Sequence, residues 1–146
     1  MRIRNSILID APPAVVWDAI EDVSRHTEWM RDAESIEFLT HRTRGVDTTF
    51  VNVTRVGPLH TRDVVTITEW SPRRKMSIAH EGAVKGTASF TLARRRGGRT
   101  KFTWRERLRF PWFFGGPIGA LIAYPILRHV WKQNLRRLKL QIETAG

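Results

Sequence analysis

With 146 residues, the chain has the length of one domain that can bury a real core, spanning residues 1–146. It has no cysteine, which excludes a disulfide framework and any thiolate metal site. The formal charge of +11, from 25 Lys+Arg against 14 Asp+Glu, points either to an anionic partner or to arginine-rich codon usage alone.

With no cysteine, a cytoplasmic protein of bacterial type is the simplest reading, and the N-terminus, Met1-Arg2-Ile3-Arg4-Asn5, lacks the apolar core and cleavage site of a signal peptide. Ser6 to Asp10 reads as a short apolar strand. Ala11-Pro12-Pro13 stops it and starts a helix, because proline is tolerated in a first turn. Val16, Ile20 and Val23 give that helix an apolar stripe beside Trp17. Ser24 is placed to cap a second short helix through His26, Trp29 and Met30.

From Ser35 the period changes to two. Six strands are predicted: Ser35 to Thr40, Thr48 to Val56, His60 to Trp70, Lys75 to His80, Lys85 to Ala93, and Thr100 to Phe110. The breaks are Arg44-Gly45, Gly57-Pro58, Ser71-Pro72, Glu81-Gly82 and Gly97-Gly98. Connections this short allow only antiparallel hairpins. Phe102, Trp104, Leu108 and Phe110 share one face of the last strand, and Lys101, Arg105, Arg107 and Arg109 share the other. One sheet face is therefore apolar and needs a cover.

The cover is the last element, a helix over Ile118 to Glu143. Leu127, Trp131, Leu135, Leu138 and Ile142 form one stripe at helical spacing. Ile118, Leu121, Ile122, Tyr124, Ile126 and Val130 leave the first half almost no polar face, which predicts that it is covered on most sides. Phe110 to Leu127 carries no charge and approaches the length of a membrane span. However, Pro111, Pro117, Pro125, Gly115, Gly116 and Gly119 divide it, which a continuous span disfavours.

This order resembles the Bet v 1-like, START-related superfamily, and within it the bacterial polyketide cyclase/dehydrase and lipid-transport proteins. The resemblance rests on the first strand, Ala-Pro-Pro, Val16-Trp17-Asp18-Ala19-Ile20, Glu28-Trp29-Met30, six antiparallel strands with Glu69-Trp70-Ser71-Pro72-Arg73-Arg74 after the third, and one long terminal helix. It covers essentially the whole chain and is specific for order and spacing rather than for catalytic residues. It implies an α+β helix-grip fold. A curved seven-stranded antiparallel sheet would wrap the C-terminal helix, with two short helices between strands one and two and an apolar cavity inside. Members bind lipids, sterols or polyketides, and some catalyse cyclisation or dehydration. Aromatase/cyclases of the family use tyrosine-rich pockets, whereas Tyr124 is the one tyrosine here.

In this frame the candidate ligand-binding wall is Met76, Ile78, Phe90, Phe102, Trp104 and Leu108 on the strands and Leu121, Ile122 and Tyr124 on the helix. Each is also an ordinary core residue. Glu106 and His80 interrupt the inward rows and are the catalytic candidates, since burial turns such groups into acids or bases near neutral pH. The plainer alternative pairs Glu106 with an arginine at the rim and leaves His80 at an exposed strand end. Asn134 and Gln133 are candidate positioning groups. Trp112, Phe113, Phe114, Gly115 and Gly116 form a candidate lid that would touch a membrane transiently.

The histidines show no metal-ligand spacing, and no cofactor motif is present. Three functions stand: a binder and carrier of a hydrophobic small molecule, a polyketide cyclase/dehydratase using Glu106 and His80, and a basic surface that binds an anionic membrane or nucleic acid. Nucleic acid is disfavoured because the basic loops lack stacking aromatics. The sequence leaves the oligomeric state open.

Overall fold

The computed structural model describes residues 1–145. Strand β1 (Arg2–Ile9) leads into helix α1 (Pro13–Ile20) and a 3-10 helix (Val23–Glu28). Six strands follow: β2 (Ala33–Phe38), β3 (Thr49–Val56), β4 (Leu59–Ser71), β5 (Lys75–Glu81), β6 (Lys85–Arg95) and β7 (Arg99–Arg109). A 3-10 turn (Trp112–Phe114) then precedes helix α2 (Gly116–Ala145), which continues through Pro125. The strands form one antiparallel sheet in the order β1-β7-β6-β5-β4-β3-β2. This is the helix-grip fold, with the curved sheet held around the terminal helix.

The six later strands fall within two residues of their expected limits. The first is longer than expected because Ile3 and Asn5, both buried, pair with Glu106 and Trp104 of β7. The polar look of Arg2-Ile3-Arg4-Asn5 comes from an alternation in which Arg2 and Arg4 face solvent. The cap of the second short helix is also different from the expectation. Asp22, not Ser24, occupies the cap, and its Oδ1 accepts the Ser24 backbone N–H at 3.1 Å and the Ser24 hydroxyl at 2.5 Å. A carboxylate two residues earlier accepts a free N–H of the first turn, and Ser24 lies inside that turn.

The core lies where α1, the 3-10 helix and the C-terminal half of α2 meet the sheet. Trp29 is fully buried and packs edge-on to Trp104 at 5.9 Å and against Phe90 at 5.7 Å. Trp104 stacks on Trp131 of α2 at 5.3 Å. Leu135, Leu138 and Ile142 continue the buried stripe of α2. Polar bonds pin the same half: Lys139 Nζ donates to the Leu8 carbonyl at 2.7 Å, and Glu143 accepts the Asp10 N–H at 2.7 Å.

The first half of α2 departs from expectation. Ile118, Leu121, Ile122 and Ile126 are exposed, Leu121 at 76%. Every strong anchor lies from Trp131 onward, so the earlier turns stand clear of the sheet. Apolar composition on all sides also marks a helix face left for another partner.

Candidate functional site

The inward row of each central strand faces one cavity of about 160 Å³. That is on the order of ten times the space one water needs. Phe50 and Asn52 come from β3, Asp63 and Val65 from β4, Met76, Ile78 and His80 from β5, Ala88 and Phe90 from β6, and Trp104, Glu106 and Leu108 from β7. Val23, His26 and Met30 close one side, and Leu127 and Trp131 of α2 another. The cavity reaches the end of the sheet where Val56, Leu59, Val84 and Phe110 stand. Period-two alternation delivers these residues to one side, and the curvature of the sheet turns that side into a concavity.

Five of the six strand positions expected on the wall are there: Met76, Ile78, Phe90, Trp104 and Leu108. Phe102 is not. It is wholly buried beneath Trp29 and Phe90, at 6.5 and 5.2 Å, and belongs to the core below the cavity. Leu121, Ile122 and Tyr124 are also absent from the wall, because that part of α2 stands off the sheet. Only Leu127 and Trp131 represent the helix. The proposed lid residues Trp112 and Phe113 are exposed, Trp112 at 86%, and Gly115 and Gly116 adopt left-handed φ of 86° and 51°.

Both catalytic candidates face the cavity. Glu106 has no arginine partner; its Oε1 accepts the Trp104 indole N–H at 3.1 Å. Burial pushes its carboxyl up to about 8, against the Trp104 bond and with help from the negative charges of Asp32 and Asp63. Glu106 is therefore protonated at neutral pH. His80 lies within 2.9 Å of the Val84 carbonyl through Nδ1. A carbonyl only accepts, so the proton sits on Nδ1 and Nε2 carries the lone pair. Burial lowers the His80 pKa and keeps the ring neutral. Gly86, its partner across the ladder, leaves room for the ring; a Cβ there would crowd His80 Nε2 and collide with the Arg107 carbonyl.

Other polar groups of the wall escaped the sequence reading. Asp63 is buried, and burial raises its carboxyl to about 6 against a bond from the Ala83 N–H. Its Oδ1 lies where a Cβ of Gly82 would stand, so Gly82 is required by Asp63. Asn52 pairs with Asp63 across the β3–β4 ladder. His26 is held by the Ile20 carbonyl at 2.7 Å, and burial lowers its pKa to about 4. Asp32 receives Asn134 Nδ2 at 2.6 Å and Trp131 Nε1 at 3.4 Å. A signal for Asp63 existed: it is in phase with Val65 and Ile67, as Glu106 is with Trp104 and Leu108. Asn134 holds Asp32 rather than facing the cavity, and Gln133 is not on the wall.

At the opposite end of the sheet, Arg73, Arg74 and Arg94 border a surface groove against Pro12 and Pro13. Among the described residues no group of three metal-ligating side chains converges. No described helix is long and apolar enough to cross a membrane.

The same fold occurs in solved structures. A Thermus thermophilus protein superposes with a TM-score of 0.83 at 17% identity, covering 100% of this chain and 99% of that one. The Zhui aromatase/cyclase of a Streptomyces species superposes at 0.75 and 16% identity, covering 98% and 93%. A START superfamily protein of Mycobacterium smegmatis superposes at 0.75 and 8% identity, covering 99% of each chain. Identities this low carry the fold alone. No protein of curated function matches the sequence. Over residues 1–143 the sequence matches the polyketide cyclase/dehydrase and lipid transport family, and the chain belongs to that family.

Proposed function

We propose that the protein binds a hydrophobic small molecule, a lipid, polyketide or similar compound, in the cavity between sheet and C-terminal helix, and carries it. The observation that supports this most is a cavity walled by Met76, Ile78, Phe90, Trp104 and Leu108. An apolar concavity with a few polar groups is the usual form of a small-molecule site. The Trp112–Phe114 turn with Gly115 and Gly116 serves as a lid, and its exposed apolar side chains touch a membrane transiently as the ligand passes. Native mass spectrometry of the purified protein, followed by organic extraction, tests the reading. A hydrophobic molecule should co-purify and be lost in Trp104→Ala. Protein that is empty, and that takes up no neutral apolar dye, would overturn it.

One observation favours a second reading, a polyketide cyclase/dehydratase. Glu106 is protonated and His80 neutral in the same cavity. In a dehydration His80 Nε2 takes the proton from carbon, the electron pair forms the new double bond, and the C–O bond breaks. Glu106 protonates the departing hydroxyl, which leaves as water. Glu106→Gln should then lower turnover of a β-hydroxy polyketide surrogate by ~10²–10⁴-fold while dye affinity is kept. Normal turnover in that variant would remove Glu106 from the chemistry.

A further inference from the structure

The polar part of the cavity wall is one-sided. Asp32, Asp63 and Glu106 are on it, and no Lys or Arg is, in a chain of formal charge +11. Asp63 is 8% exposed, and its Oδ1 has no hydrogen-bond partner. Asn52, its partner across the ladder, also buries an Oδ1 without a donor. The Asn52 amide is turned instead toward Thr54 Oγ1, at 3.3 Å. His80 commits its Nδ1 proton to Val84, so Nε2 is a further bare acceptor. Asp32 is held by Asn134 and Trp131, and Glu106 accepts the Trp104 indole N–H, so Asp63 Oδ1 is the buried carboxylate oxygen left without a donor.

Buried acceptors without donors are costly, and a ligand whose donors meet them after a turn of the Asp63 or Asn52 side chain toward the cavity relieves that cost. A ligand that brings a carboxylate adds two acceptors and a charge that no neighbouring cation balances. Protonated Glu106 offers one O–H but no positive charge.

Resting on the reading of the cavity as a ligand site, we infer that it selects an apolar molecule whose polar end donates hydrogen bonds, an alcohol or an amine, and rejects the carboxylate of a fatty acid. Asp63 and Asn52 are the specificity-determining pair. The discrimination is built partly from repulsion, as specificity often is.

The test is displacement of a neutral dye, N-phenylnaphthylamine, from the whole protein at pH 7 by octanol, octylamine and octanoate. The three share a chain and differ only at the head. Octanol and octylamine should displace the dye at concentrations at least about tenfold below octanoate, the ratio expected for a discrimination near 1.4 kcal/mol. Octylamine acting well ahead of octanol would assign the preference to charge, and equal action would assign it to hydrogen-bond donation; both agree with the inference. Asp63→Asn and Glu106→Gln preserve shape and remove acidity, and Asp63→Asn should narrow the gap. Octanoate displacing the dye as readily as octanol, with the dye itself bound, overturns the head-group preference and leaves the cavity reading standing. No dye binding at all removes both.

Discussion

Asn134 Nδ2 donates to Asp32 Oδ1 at 2.6 Å, joining the middle of α2 to the turn that enters β2. Asn134 is 0% exposed, and its own Oδ1 accepts the Arg31 N–H at 3.2 Å and an Arg137 N–H at 2.9 Å. This buried amide thus joins Trp131, Lys139 and Glu143 in fixing the helix to the rest of the fold. Asn134→Ala leaves Asp32 and the Arg31 N–H short of partners at a half-buried site. Such losses cost about 1–3 kcal/mol each when the group stays desolvated. The urea midpoint should fall accordingly with an unchanged slope. A variant as stable as wild type would show that water replaces the amide fully.

On the N-terminal side of this clamp, α2 meets the cavity through Leu127 and Trp131, and the turns before Leu127 do not reach it. Leu127→Arg puts a cation into the wall and should reduce uptake of a neutral apolar dye by about tenfold or more, since an unpaired charge is expelled from an apolar site. Leu121→Arg changes a side chain that is 76% exposed and should leave uptake unchanged. The reverse order of effects would mean that the first half of α2 closes on the sheet when ligand binds.

Stability should carry the mark of Glu106. Its folded carboxyl is raised from about 4.5 to about 8, so the native state keeps a proton that the unfolded chain has released. Stability from this group therefore declines as pH rises from about 4.5 to about 8 and is level above. Asp63 acts with the same sign over a lower window, up to about 6. His26, lowered to about 4, acts oppositely and removes stability as pH falls from about 6.5 to about 4. Subtracting Glu106→Gln isolates the first effect. Between pH ~5 and ~8 the wild type should lose up to about 1.4 kcal/mol per pH unit relative to the variant. A difference that does not vary with pH would place the folded carboxyl in contact with water.

Binding to anionic vesicles distinguishes two surfaces at opposite ends of the sheet. One is the apolar tract of Trp112, Phe113, Ile118, Leu121 and Ile122. The other is the arginine-bordered groove of Arg73, Arg74 and Arg94. Replacing Trp112 and Phe113 with Ser should weaken binding to anionic vesicles with little change in its salt dependence. Replacing Arg94, Arg95 and Arg96 with Ser should leave vesicle binding nearly intact. If the arginine replacement and added salt each abolish it, the basic end is the membrane-facing surface.

What was legible in the sequence was local and periodic. Alternation along Lys85 to Phe110 placed Phe90, Trp104, Leu108 and Glu106 on one face, and the hairpin breaks set the strand order. Leu127, Trp131, Leu135, Leu138 and Ile142 marked the packed stripe of α2, because a contrast between apolar and polar residues carries phase. From Ile118 to Ile126 there is no such contrast, so no phase could be read, and the tertiary anchors from Trp131 onward, Asn134 among them, decided that this half stands free. The pairing of Asp63 with Asn52 depends on the register of two strands, and the place of His26 on how the 3-10 helix docks. The protonation of Glu106 depends on all of these together. Its pKa answers to burial and to charges that are distant along the chain and close in space, and the fold alone sets those distances.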